Sequence, residues 1–147
     1  MISNIQDLLE LHEGRRNKMY LDSKGVPSIG VGHNLRDKPL RDEAVDLIFK
    51  HDVEDAIDDA VEVFGDDIFG TPVLLGLDEV RQAACIDLSF NLGRRKLAEF
   101  KQFIEAVRHG DWVRAGEELV DSRWFHQVGN RGPRLRDMIV SGEWPAK

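Results

Sequence analysis

The chain has 147 residues, 41% of them hydrophobic, with three Trp, seven Phe and one Tyr, which suits one compact domain or two small lobes sharing a long helix and argues against disorder. No stretch approaches the ~20 apolar residues of a membrane span, and no basic start followed by an apolar run reads as a signal peptide, so the protein is expected to stay in a cytoplasm without membrane insertion. Its formal net charge is −7, and its single cysteine, Cys85, excludes an intramolecular disulfide and a cysteine-rich metal site.

Ser3 followed by Gln6 reads as a capping box, and Ile5, Leu8, Leu9 and His12 recur at helical spacing until Gly14 stops the helix. Glu13 shares the face of Ile5 and Leu9, which is expected to turn toward protein. A carboxylate at the negative end of a helix and against apolar neighbours is disfavoured as an anion, the condition a general acid needs. Asp22 falls in the turn Asp22-Ser23-Lys24-Gly25, between Met19-Tyr20-Leu21 and Val26-Pro27-Ser28-Ile29, which together read as a hairpin. Water and backbone amides there favour the anion. Two carboxylates in such opposed settings divide into acid and base, although a helix-ending Glu and a turn Asp are also ordinary solvated residues.

After the short connection Asn34–Pro39, an amphipathic pattern begins near Leu40. Ala44, Leu47, Ile48, His51, Ala56, Ile57, Ala60, Val61 and Phe64 keep helical spacing until Gly65, about seven turns. Between Asp42 and Asp67 stand eleven acids and one lysine, a local −10 that leaves +3 for the remainder of a −7 chain, and this reads as a solvated face. Asp66 to Pro72 carries turn signals. Asp78 looks like an N-cap for a helix that is apolar nearly all round, from Val80 through Cys85 and Leu88 to Leu92, ending at Gly93 and therefore central to a core. Cys85 within it reads as a buried small apolar residue.

Arg94-Arg95-Lys96 precedes Leu97, Phe100, Phe103, Ile104 and Val107, expected to form one amphipathic helix stopped by Gly110. No base-reading motif accompanies the basic run, so no nucleic-acid partner is assigned. Trp112 to Val120 forms a short helix. Trp124, Phe125 and a loop follow, then a last helix with Pro133 in its first turn, Leu135, Met138 and Ile139 inward and Gly142 as its stop, with Trp144-Pro145 expected to pack the C-terminus down. The five histidines are scattered without a metal-ligand pattern, so neither metal nor cofactor is expected.

One spacing stands out from this background. Glu13 is followed after eight residues by Asp22, after five more by Ser28, and then by Ile29-Gly30-Val31-Gly32-His33. The segment resembles the phage-type lysozymes, glycoside hydrolase family 24, in which a helix-borne Glu, an Asp and a Thr run into I-G-x-G-H. Arg81–Gly93 and Ser122-Arg123-Trp124-Phe125 with Asn130-Arg131 resemble the family too, so the likeness touches both ends and the middle of the chain. The family's Thr is Ser28 here, which keeps the hydroxyl and loses the methyl that would hold its rotamer.

The resemblance implies a mostly α, α+β lysozyme-like fold. A small lobe with a short β-hairpin (about 14–40) would be joined by a long helix (about 40–64) to a helical lobe (about 65–147), on which the N-terminal helix packs. The linker before the long helix is shorter than in T-even members, so fewer strands or helices are expected in the small lobe. By the same resemblance Glu13 is the acid, and Asp22 with Ser28 positions and activates water. Gly30 and Gly32 let polymer approach the backbone, Phe90 lies on the cleft side of its helix, where a plain core Phe is the alternative, and Arg131 reaches Glu13. His33 pairs with Asp52 as structural support.

The implied substrate is the glycan strand of peptidoglycan, cut at the β-1,4 bond between N-acetylmuramic acid and N-acetylglucosamine by a monomer waiting in the host cytoplasm for a separate pore protein. A carboxylate that activates water needs the two acids ~6.5–9.5 Å apart and gives inversion. The overall acidity opposes long-range attraction to an anionic wall, and local positive charge on Arg123, Arg131, Arg134 and Arg136 would offset it. Two rival readings remain open: a non-catalytic wall-binding or phage structural module, with Ser28 as its first sign of decay, and a helical interaction domain whose acidic face binds a basic partner.

Overall fold

The computed structural model describes residues 1–146. The chain divides into two compact units, Met1–Ile48 and Phe49–Lys147. The division falls inside one continuous helix, Asp42–Phe64 (α2).

In the first unit, α1 spans Ile5–Glu13. Its cap differs from the expected Ser3/Gln6 box. Asn4 is the N-cap in extended conformation and accepts from the Asp7 N–H at 2.9 Å, while the Asp7 carboxylate reaches back to the Ser3 N–H at 2.9 Å and hydroxyl at 2.8 Å. Asn4, which directly precedes the first helical residue, takes the cap in place of Ser3, and the acid three positions after it, Asp7, holds Ser3 and not the cap residue's own N–H. No residue of α1 is buried, and Ile5 is 60% exposed, so the apolar surroundings expected for Glu13 are not supplied within this unit.

That sheet is antiparallel, β1 (Arg16–Leu21), β2 (Pro27–Gly30) and β3 (His33–Asn34), with β2 in the middle. The expected hairpin is present, and β3 extends it. Gly30 and Gly32 turn the chain with φ of +68° and +69°, a left-handed conformation that side chains resist, and so bring β3 back beside β2. From Arg16 to Tyr20 β1 takes four steps, while β2 takes two from Gly30 to Ser28. This is a bulge, and it brings the Arg16 guanidinium over the Tyr20 ring at 4.5 Å. The connection to α2 is closed by Asn34, whose Oδ1 accepts from the Arg36 and Asp37 N–H groups at 2.9 Å each. The helix begins at Asp42, two residues later than the pattern suggested.

The second unit holds a continuous apolar core. The C-terminal part of α2 contributes Ala60 and Phe64, and α3 (Glu79–Leu92) adds Val80, Ala84, Cys85 and Leu88. As read from sequence, Asp78 caps α3 by accepting from Arg81 N–H, and Cys85 is fully buried. Ser89, also buried, donates from Oγ to the Ala56 carbonyl at 2.7 Å and so fastens α3 to α2.

The single helix expected from Leu97 to Val107 is instead two, α4 (Arg94–Ala98) and α5 (Lys101–Arg108), broken at Phe100 with ψ 53°. On one straight helix Leu97 and Phe103 would point about 120° apart. The break lets both be buried, Phe103 with its ring edge against Phe64 at 6.2 Å. Next come α6 (Trp112–Val120), α7 (Arg123–Gln127) and α8 (Arg131–Ser141). Trp124 lies in a helix and not before a loop, capped by Ser122 and buried, with its indole N–H on Asn91 Oδ1 at 2.7 Å.

Arg81 joins the start of α3 to the end of α8. It donates to the Ile139 and Val140 carbonyls at 2.7 and 3.0 Å, pairs with Asp78 at 3.1 Å and stacks on Trp112 at 4.4 Å. Arg108 does the same for the end of α2, donating to the Phe64 and Asp66 carbonyls at 2.6 and 3.1 Å. Trp144 is not packed down as expected but 57% exposed, since Gly142 ends α8 and no further element follows within the described residues to cover the indole.

Candidate active site

The turn between β1 and β2 is built around Asp22. Its Oδ1 accepts from the Lys24 N–H at 2.8 Å and the Val26 N–H at 2.9 Å, while its own N–H donates to the Val26 carbonyl at 3.0 Å. The Val26 N–H first, with the Lys24 N–H and the nearby Lys24 and Arg36 charges, outweighs the cost of desolvation and holds the carboxyl below the usual carboxylate range. Asp22 is therefore a settled anion. Among the described residues its Oδ2 accepts no protein hydrogen bond, so one oxygen shapes the turn and the other is left for solvent.

Ser28 stands on the middle strand, opposite Tyr20 on one side and Asn34 on the other, and is the single buried residue of Met1–Ile48. Its hydroxyl donates to the Val26 carbonyl at 3.1 Å. The rotamer that a threonine methyl would hold is thus held by a hydrogen bond, with the oxygen lone pairs left to accept. The backbone of Val26 couples the two groups: its N–H donates to the Asp22 carboxylate, and its C=O accepts from both the Asp22 N–H and the Ser28 hydroxyl.

Glu13 ends α1 with an exposed side chain, and within Met1–Ile48 no hydrogen bond or ion pair takes up its carboxylate. Its close neighbour is Gly32. A Cβ placed on Gly32 would lie 2.8 Å from Glu13 Oε2 and 2.9 Å from Cδ. Gly30 differs, because a Cβ there would meet nothing within 4 Å. His33 turns its Nε2 to the Lys38 carbonyl at 3.1 Å, and Asp52 lies exposed on α2.

In the second unit, Phe90 is 44% exposed and so is not a core residue; its ring meets Phe49 edge to face at 6.2 Å. Phe90 and Arg131 share one hollow of about 450 Å³ with Phe49, Ile57, Ile86 and Asp87. Arg131 Nε donates to Asp87 Oδ1 at 2.7 Å. Two participants here escaped sequence reasoning. Asp87 lies inside the quoted Arg81–Gly93 stretch without a role, and its partner is 44 positions away. Phe49 lay just off the apolar positions counted along α2. No group of three His, Cys, Asp or Glu side chains among the described residues could hold a metal ion.

Residues 10–137 match the phage lysozyme family, and the chain belongs to it. It is thereby a glycoside hydrolase with lysozyme function. Along its length it is similar to a probable T4-type lysozyme 1 of Dictyostelium discoideum, at 27% identity over 97% of this chain and 96% of the relative. A probable T4-type lysozyme 2 of the same organism shares 24% over the same fractions. The pre-baseplate central spike protein Gp5 of Enterobacteria phage T4 is 28% identical over 95% of this chain, which spans 28% of that protein.

Proposed function

We propose that this lysozyme hydrolyses the β-1,4 bond between N-acetylmuramic acid and N-acetylglucosamine of peptidoglycan with inversion, and that it serves host cell lysis. The observation that carries the reading is the Asp22–Val26–Ser28 arrangement. It fixes an anion and a hydroxyl on the backbone of one residue, Val26, and leaves Oδ2 and the hydroxyl lone pairs to hold a water. Glu13, at the end of α1, protonates the departing oxygen, and Asp22 takes the proton of the attacking water. The family likeness further supports Phe90, Arg131 and the bare backbone at Gly30 and Gly32 as glycan contacts, Gly32 with its side-chain space taken by Glu13, and His33 and Asp52 as structural support.

The protein works as a monomer without cofactor, metal or nucleic acid, and reaches the wall from the host cytoplasm through a separate pore protein. The test is clearing of purified peptidoglycan followed by NMR of the new reducing end. The α-anomer appearing first supports inversion, and the β-anomer first sinks it. A second reading, a wall-binding module of a phage structure, draws on the likeness to a spike protein, and a parent protein that binds but does not clear peptidoglycan would favour it.

A further inference from the structure

The two glycines of Ile29-Gly30-Val31-Gly32-His33 are not equivalent. Both have positive φ, +68° and +69°, so the backbone alone favours glycine at each. Around Gly30 the missing side chain leaves empty space. Around Gly32 the space is taken by Glu13: the place of a Cβ lies 2.8 Å from Oε2 and 2.9 Å from Cδ, too close for both atoms to stay where they are, and a tight 3.2 Å from Cγ. Within Met1–Ile48 no hydrogen bond or ion pair holds that carboxyl, so inside this unit packing against bare backbone is what limits where it can lie.

We propose that Gly32 is a positioning residue for the catalytic acid. Its role is to make room for the Glu13 carboxyl at the strand end, beyond any role in admitting polymer. The obstacle a methyl would meet is the far end of a flexible side chain, which can swing aside at little cost to folding. A substitution should therefore move the acid and leave the fold. General acid catalysis depends on the proton lying within hydrogen-bond reach of the leaving oxygen, and a displacement near 1 Å can cost about a hundredfold in rate.

The inference rests on Glu13 being the acid, and its test has one arm that does not. Gly32→Ala is compared with Gly70→Ala, whose φ of +76° imposes the same backbone strain in open space. The Glu13 side-chain carboxyl resonance is followed by NMR, and peptidoglycan clearing is measured on the same samples. Gly32→Ala should shift that resonance and lower kcat about a hundredfold with KM little changed, whereas Gly70→Ala should do neither. A resonance left in place, or clearing no slower than in Gly70→Ala, overturns the proposal. A parent that fails to clear would refute the lysozyme reading while the resonance still decides the contact. If Gly32→Ala unfolds, adding Glu13→Ala removes the three atoms in the way. Recovery of folding then supports the contact, and no recovery overturns it.

Discussion

Met1–Ile48 buries a single residue, the polar Ser28, whereas Phe49–Lys147 encloses an apolar core that runs from Ala60 to Ile139. The smaller unit is held by its turns: the Asp7 cap on Ser3, the Asp22 turn and the Asn34 turn, each a short carboxylate or amide satisfying two donors. The larger is held by burial, with arginines closing helix ends. Polar devices fix atoms precisely but add little stability, while apolar packing adds stability without presenting chemistry. Changes in the first unit should therefore be felt in rate, and changes in the second in folding.

Glu13→Gln should show the greatest separation. Clearing falls by at least about a hundredfold, the usual share of a general acid, while thermal unfolding stays put or rises slightly as a charge is lost. Equal clearing by variant and parent would break the comparison at its strongest point. Phe103→Ala is its mirror image. Phe103 is 1% exposed and packs on Phe64, so its truncation should cost about 3–5 kcal/mol in denaturant unfolding with clearing per folded molecule unchanged.

Arg81→Ala comes next, at about 1–3 kcal/mol, because two carbonyls at the end of α8 lose a charged donor and Asp78 its partner. Ser28→Ala should slow clearing about tenfold through loss of hold on the water, and Ser28→Thr should be tolerated. An alanine variant as fast as its parent would remove Ser28 from the site.

The smallest effect is that of acid. Asp78 is pushed up by burial, but the Arg81 N–H, guanidinium and charge together outweigh this and bring it below its ordinary value of 3.8; Asp22 is lowered chiefly by the Val26 N–H. A lowered carboxylate stabilises the fold fully above its unfolded value and loses that contribution as pH falls through the folded one. Stability should thus be level near neutrality and decline below about pH 4–5, and Asp78→Asn should flatten part of the decline. The acidic limb of clearing, set by Asp22, should lie below the ordinary carboxylate range. A limb above it would mean that another group is the base.

Much of this was legible in the chain. The Glu13, Asp22 and Ser28 spacing, the Asp78 cap, the long α2 and the burial of Cys85 follow from local rules of capping, periodicity and turn chemistry, and these act over a few residues. The α4–α5 break did not, because nothing local marks Phe100 as a stop; only the need to bury both Leu97 and Phe103 does. Nor did the Arg131–Asp87 pair, the reach of Arg81 across 58 positions to Ile139, or the exposure of Trp144.

Sequence by itself determined which residue types stand at which intervals, and with them the family and its chemistry. Tertiary structure decided which partners those residues find. A hydroxyl without its usual methyl is held by the Val26 carbonyl, and one of two matching glycines lies against Glu13 while the other faces open space. The physical reason is that capping and periodicity are set by neighbours in the chain, whereas steric contact and hydrogen-bond partnership depend on which surfaces folding brings within a few ångströms.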